Sequence, residues 1–293
     1  MSRASTGITP VIHEVVGVGI GPFNLGLACL SEPLGVDAIF LDERAGFSWH
    51  PGTMFPDSTL QVPFLADLVS MADPTSRFSF VNWLKQTGRL YPFYIRESFY
   101  PLRVEYDAYC RWACEQLDNL WWGRKVIAIN YDEIRNCYVV HTQREGGSVE
   151  VYYGRHVVLG IGSAAHTPRA FSNVTDRVIH SGDFMFRRSE IEEARSVVII
   201  GSGQSGAEIY RKLLDSMDLK RSRLDWITRA PRFFPMEYTK LTLEMTSPEY
   251  TGYFHALPMS IRDQLGREQR ALHKGISGDL VNEIYDTLYR MSI

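Results

Sequence analysis

Two glycine-rich stretches hold the residue types best suited to chemistry. They are Gly17-Val18-Gly19-Ile20-Gly21-Pro22-Phe23-Asn24-Leu25-Gly26 and Gly201-Ser202-Gly203-Gln204-Ser205-Gly206. Glycine opens backbone angles closed to other residues and lets a ligand approach the main chain. A helix starting directly after such a turn offers free N–H groups and partial positive charge, which suit a pyrophosphate. Pro22 fits a first helical turn, where a missing N–H costs nothing. Aligned on Pro22, the first stretch reads Gly19-x-Gly21-Pro22-x-Asn24. Asn24 then stands where a third glycine is usual, and Gly17 is an extra glycine upstream. Asn24 is expected to demand more room between helix and strand than glycine would. The second stretch is a full G-x-G-x-x-G. A lone turn of this kind is a weak signal; two, each between an apolar run and a helical segment, form a strong one.

Charged residues follow each turn. Asp37-Ala38-Ile39-Phe40-Leu41 reads as a strand ending in Asp42 and Glu43. They lie roughly 20 residues beyond the glycines, where a dinucleotide fold sets an acid on a ribose. The register leaves open which of the two faces it. The strand after the second turn, Leu224-Asp225-Trp226-Ile227-Thr228, ends instead in Arg229. An arginine there favours a ribose 2′-phosphate, so Arg229 points to NADPH over NADH. Arg221, Arg223 and Arg232 are reserve candidates. The four cysteines, Cys29, Cys110, Cys114 and Cys137, form no C-x-x-C pair. Cys110 and Cys114 share a helix face and read as small core residues, and no metal site is expected.

Glu14 to Val18 and Ser196 to Ile200 are the strands that feed the turns. From Ala45 to Asp73 the pattern is irregular and aromatic, as befits a functional loop beside a cofactor site. Ser79–Thr87 reads as a helix stopped by Gly88, and Glu105–Leu117 as another. Val126–Ile129, Cys137–Val140 and Val149–Tyr152 suggest a small antiparallel meander. Val157–Gly162 reads as a separate buried strand. Phe233–Pro258 is read as irregular, and Ile261–Lys274 and Asp279–Met291 as closing helices.

The chain has 293 residues, 45% of them hydrophobic, and a net charge of -3. That is enough for two domains, and it argues against nucleic acid as a partner. No run approaches the roughly 18 apolar residues of a membrane span, and Met1–Pro10 carries no secretory pattern, so a cytoplasmic location without membrane attachment is expected. The fold class expected is α/β, with two Rossmann-like dinucleotide-binding domains and the small meander. The expected boundaries are 1–189 for the first domain and 190–293 for the second. Two dinucleotide sites in one chain suggest an electron relay from nicotinamide to flavin, with FAD at the first turn and NADPH at the second. The missing C-x-x-C argues against delivery of those electrons to a disulfide.

Beyond the turns, the sequence resembles the lysine/ornithine N-hydroxylase family, flavin-dependent N-hydroxylating monooxygenases of hydroxamate siderophore biosynthesis. The resemblance rests on the first turn, Phe47-Ser48-Trp49-His50-Pro51-Gly52, Leu60-Gln61-Val62-Pro63-Phe64-Leu65-Ala66-Asp67-Leu68, Asp73-Pro74-Thr75-Ser76, Phe80-Val81-Asn82-Trp83-Leu84, Gly201–Ser205 and Leu241–Pro248. The Baeyer–Villiger pattern fits less well, because Phe184 follows His180 by four residues and Asp176 replaces its glycine.

The resemblance implies hydroxylation of a primary amine by dioxygen through a C4a-hydroperoxyflavin, in a homo-oligomer. It implies that Gln61 lies near the flavin and nicotinamide as the catalytic-site residue, that Trp49 and His50 lie along the flavin, and that Gln204 belongs to the NADPH turn with Ser205. On the substrate side it implies Ala66, Leu243 and His273. Family members acting on amino acids carry Phe-Leu-Lys-Asp-Leu, whose lysine meets the α-carboxylate. Ala66 stands at that lysine position and cannot pair with a carboxylate, which favours putrescine or cadaverine over lysine or ornithine. Lys240 or Arg103 are the cations able to substitute. Alternatives are an L-lysine N6- or L-ornithine N5-monooxygenase, an FAD/NADPH oxidase or reductase, and an inactive fragment. The last arises because family members continue past Ile293 to a segment expected to complete the FAD domain.

Overall fold

The computed structural model describes residues 10–171, 176–272 and 274–293. It divides into two compact units, Met1–His166 and Thr167–Ile293. The change of unit therefore comes before the 189/190 boundary expected from sequence.

In the first unit, β1 (Ile12–Val18) runs into the glycine turn and α1 (Pro22–Ser31), and β2 (Ala38–Leu41) follows. A long irregular segment leads to α2 (Phe80–Gln86), α3 (Leu90–Ile95) and α4 (Arg103–Cys114). The chain then returns through β3 (Leu120–Trp121), β4 (Lys125–Asp132), β5 (Cys137–Gln143) and β6 (Val149–Leu159). The six strands make one sheet in the order β3-β2-β1-β6-β5-β4. β1 pairs in parallel with β2 and β6, and β2 with β3, whereas β5 is antiparallel to both β4 and β6.

Two runs read as separate, Val149–Tyr152 and Val157–Gly162, are one strand. No turn residue breaks β6 except Gly154, and a Cβ there would stand 2.6 Å from Val16 Cγ2. The glycine thus lets β6 cross β1 closely and continue, so the antiparallel strands extend the parallel sheet. Beyond Leu159 the strand ends, and Gly160–Gly162 lie outside it.

The main core lies between this sheet and α1, α2 and α4, where Leu25, Cys29, Phe40, Phe80, Leu84, Tyr109 and Cys110 are buried together. Tyr109 brings a polar atom into it, and its hydroxyl is satisfied by donating to Phe78 O at 2.6 Å. Val16, Ile39, Leu41 and Val140 form a second, smaller cluster. Ser79 caps α2 by accepting from Asn82 N, and Gly88 takes a positive φ of 73° just past its end, as the stop signal required.

In the second unit, α5 (Arg188–Glu192) precedes β7 (Ser196–Ile200), the second glycine turn, α6 (Gln204–Ser216) and β8 (Arg223–Ile227). Among the described residues its sheet is this single parallel pair. α7 (Lys240–Leu243), α8 (Pro248–Ala256), α9 (Met259–Glu268) and α10 (Gly278–Met291) complete it. α7 and α8 correct the reading of 233–258 as irregular. The signal missed is a cap: Ser247 accepts from Tyr250 N, with Pro248 at the first helical position. α10 packs on α6 around Ala207, Ile276 and Ile284. No described helix is long and apolar enough to cross a membrane.

Candidate functional site

The two glycine turns share one backbone plan. Gly19 N–H donates to Leu41 O at 2.7 Å, and Gly201 N–H donates to Ile227 O at 2.9 Å. Each turn is thereby tied to the end of the next parallel strand. Both glycines have positive φ, 86° and 124°. Gly21 and Gly203 are the N-caps of α1 and α6 in nearly identical extended geometry, φ -88° and -93°. Neither helix start has a side-chain cap or an acid in its first turn. Among the described residues, a Cβ at Gly203 would meet nothing within 4 Å, and at Gly21 only Gly160 O at 4.0 Å. Open space in front of uncapped N–H groups fits a dinucleotide pyrophosphate at both turns.

The third motif position separates them. At Asn24 the extra volume is taken up by Gly160, whose Cβ would fall 2.5 Å from Asn24 Nδ2. The amide is 2% exposed and donates to Gly19 O at 2.8 Å and Val18 O at 3.2 Å. Asn24 therefore braces the turn from inside. At the second turn Gly206 lets the helix approach Gly201 O directly, and the Trp226 indole N–H donates to that same oxygen at 2.6 Å. Gly17 packs under the Phe40 ring, where a Cβ would approach to 2.2 Å. Its demonstrated job is to let β1 and β2 lie close.

The two candidate ribose acids part company. Asp42 is 6% exposed and accepts from Ile20 N–H at 2.7 Å, Arg44 N–H at 2.9 Å, and Arg44 Nε and Nη2 at 3.0 and 2.8 Å. Burial alone would raise its pKa, but these hydrogen bonds outweigh it and hold the carboxyl below its usual value. Glu43 is exposed and lies 3.6 Å from Lys125. Sequence reasoning missed Arg44, which also donates to Ile20 O at 3.1 Å and Ser48 O at 2.8 Å. An arginine two residues past the strand-end acid was the available signal.

The Trp49–His50 corner follows directly. His50 is one of few non-glycine residues at positive φ, 46°, and its carbonyl accepts from Thr53 N–H at 3.0 Å. Trp49 N–H donates to Asp107 Oδ1 at 2.8 Å, and the Trp49 ring meets Tyr106 edge-on at 5.0 Å. Burial, and then the charge of Arg103, lower the pKa of the His50 ring, so the imidazole is neutral near pH 7.

The Leu60–Leu68 loop is pinned at several points. Leu60 N–H donates to Pro101 O and Phe64 N–H to Phe99 O, both at 2.8 Å. Phe64 packs with Phe80, Phe93 and Phe99. Asp67 accepts from Val69 N–H, Ser70 N–H, Ser70 Oγ–H and Phe80 N–H at 2.6–2.9 Å. Leu68 O lies against α1 so closely that a Cβ on Gly26 would come within 2.7 Å. Ala66 is exposed on this anchored loop. Gln61 is half-buried, and its amide nitrogen is shielded with no hydrogen-bond partner among the described residues. Arg103 donates to Thr53 O at 3.4 Å.

In the second unit Gln204 turns toward its own helices: its Nε2 donates to Glu208 at 2.9 Å and its Oε1 accepts from Ser277 N–H at 2.8 Å. Ser205 is exposed at the start of α6. Arg229 is exposed just past β8 and makes no ion pair among the described residues. Arg221 lies 3.6 Å from Asp218, Arg223 pairs with Asp225 at 2.6 Å, and Arg232 lies over Phe234. Leu243 ends α7 and is exposed; His273 lies outside the described residues. Burial and Glu115 push the Cys114 thiol up to about 12, and burial raises Cys29 and Cys110 further, so none is a ready thiolate.

Residues 11–293 match the family model described as L-lysine 6-monooxygenase/L-ornithine 5-monooxygenase. A putrescine N-hydroxylase of Shewanella oneidensis is 47% identical over 99% of this chain and 59% of its own length. The FAD-bound cadaverine monooxygenase of Erwinia amylovora superposes with a TM-score of 0.92 at 49% identity, covering 96% of this chain and 66% of that one. The ornithine N-hydroxylase of Kutzneria sp. 744, with reduced FAD, NADP+ and L-ornithine, gives 0.87 at 28% identity over 96% of this chain and 68% of its own. This chain thus spans about three-fifths of the length of the curated relative. It belongs to the L-lysine 6-monooxygenase/L-ornithine 5-monooxygenase family.

Proposed function

We propose that the protein is an FAD- and NADPH-dependent N-hydroxylase of a primary diamine, putrescine or cadaverine, serving hydroxamate siderophore biosynthesis. In this reading it is a cytoplasmic homo-oligomer with two Rossmann-like dinucleotide domains, FAD in 1–189 and NADPH in 190–293, and the antiparallel strands β4–β6 form a meander on the first. The observation that carries the substrate class is Ala66 on a loop fixed by Asp67. Ala66 itself offers no cation to an α-carboxylate brought to this position, so an amino-acid substrate would depend on Lys240 or Arg103, at the starts of α7 and α4, for that charge, and a carboxylate desolvated without one costs about several kcal/mol. The fixed loop cannot bring in another residue cheaply. A diamine asks for no such partner. Similarity to a putrescine N-hydroxylase and a cadaverine monooxygenase points the same way.

FAD, when bound, accepts hydride from NADPH and activates dioxygen. The chain's own residues bind and orient. The starts of α1 and α6 receive the two pyrophosphates. Arg229 meets the 2′-phosphate. The Gln61 amide nitrogen, without a partner among the described residues, would be able to donate to the flavin or nicotinamide. Trp49 and neutral His50 would line the flavin, and Phe64, on the same loop as Ala66, packs with Phe80, Phe93 and Phe99. Leu243 and His273 belong to the substrate side.

Hydroxylamine and peroxide are to be measured with putrescine, cadaverine, lysine and ornithine. Hydroxylamine formation with the diamines supports the proposal. Preference for an amino acid would sink the diamine assignment. Peroxide release indifferent to amine would make the protein an oxidase. Ala66→Lys is expected to leave diamine turnover no better.

A further inference from the structure

The peptide unit between Ser48 and Trp49 is gripped at both ends by charge. Its carbonyl accepts from Arg44 Nη1 at 2.8 Å, and its N–H donates to Asp107 Oδ1 at 2.8 Å. Each grip is itself braced. Arg44 is held bidentately by Asp42 and donates to Ile20 O, so it moves with the first glycine turn. Asp107 is held by Arg111, one helical turn along α4, through Arg111 Nε at 2.7 Å. The preceding residue on α4, Tyr106, meets the Trp49 ring edge-on. The next residue along the chain is His50, in the left-handed region at φ 46° and ψ 51°. That conformation is strained for an L-residue, so surrounding contacts must impose it.

We propose that Arg44 and Asp107 form a charged clamp that sets the Trp49–His50 corner relative to the glycine turn, making both positioning residues for whatever that corner faces. The physical case is orientation. A peptide plane has one free rotation once its flanking α-carbons are placed, and a cation on the oxygen with an anion on the nitrogen fixes it. Hydrogen bonds to charged groups are the stronger kind, and here their donors and acceptors are anchored to different elements. The clamp therefore couples the glycine turn, through Arg44, to α4, through Asp107. The assignment of flavin to the corner rests on the proposed function; the clamp does not.

Amide exchange at Trp49 in the cofactor-free chain tests the clamp itself, and FAD titration tests its consequence. Asp107→Ala and Arg44→Met are each expected to speed Trp49 exchange and to weaken FAD binding by about tenfold, the scale of one lost charge-assisted hydrogen bond. NADPH affinity should stay unchanged. The double variant should show less than the product of the two effects, because both residues hold one peptide. Asp107→Asn, which keeps an acceptor oxygen, should restore most of the protection and remain folded if the alanine variant does not. Asp132→Asn removes the carboxylate from an unrelated turn and should leave Trp49 exchange as it was. Unchanged Trp49 exchange in Asp107→Ala and Arg44→Met, or faster exchange with unchanged FAD affinity, would overturn the proposal. If the unsubstituted chain takes up no FAD, the flavin reading fails, and the exchange data still decide the clamp.

Discussion

The two glycine turns are built on the same backbone and stabilised by different means. The first sits on a six-stranded sheet and is braced by side chains: Asn24 bonds its carbonyls, Gly160 makes room for Asn24, and Asp42 with Arg44 holds its outer edge. The second sits on a two-stranded pair and is held by one indole N–H from Trp226 and by direct helix contact at Gly206. Val198, Ile200 and Ile227 around it remain 48%, 52% and 51% exposed. The lesson is that a glycine pattern specifies the anion-ready turn, while its rigidity comes from residues outside the pattern. The first turn is the more heavily braced of the two, and substitutions that break into its bracing contacts should cost the most.

The largest effect is expected at Gly19. Gly19→Ala meets both a φ of 86° and a backbone oxygen 2.5 Å from the new Cβ. It should destabilise the first unit by about 3 kcal/mol or more in denaturant titration. Gly201→Ala shares the unfavourable φ but opens into free space, and should cost about 1–2 kcal/mol. Equal costs would erase the contrast between the turns.

Arg229→Gln comes next, expected to weaken NADPH binding by about tenfold or more and to leave NADH binding nearly unchanged. Asn24→Ala takes the amide donor from Gly19 O, while Val18 O keeps the Gly160 N–H at 2.8 Å, a loss of about 1–3 kcal/mol, whereas Trp226→Phe should cost about 1 kcal/mol.

The smallest and most diagnostic effect is a pH dependence. Asp42 has its pKa lowered from 3.8. Its contribution to stability is therefore complete above that unfolded-state value and is lost as pH falls through the lowered folded-state one. Unfolding curves of the unsubstituted chain and Asp42→Asn should converge on acidification. A constant difference down to the lowest pH would show that Asp42 is not the turn's charged brace.

Much of this fold was legible locally. β7 ends where the apolar run Ser196–Ile200 meets glycine, and Ser79 with Gly88 marked α2 at both ends. Asn24 was legible as a steric demand; its answer, Gly160, lies far along the chain and emerges only when β6 pairs with β1. α8 was missed because aromatic residues mask its periodicity while Ser247-Pro248 alone marks its start. The choice between Asp42 and Glu43 needed the register of β2 and the reach of Arg44. Asp107 was invisible for the same reason: its partner at Trp49 is distant in sequence.

The assignment of one cofactor to each turn can be tested without disturbing the fold. Gly21→Ala and Gly203→Ala each put a methyl group into open space at a helix start. Titration of each variant with FAD and with NADPH should show Gly21→Ala stable and deficient in FAD binding alone, and Gly203→Ala stable and deficient in NADPH binding alone. The reverse pattern, or no loss from either substitution, would contradict the assignment.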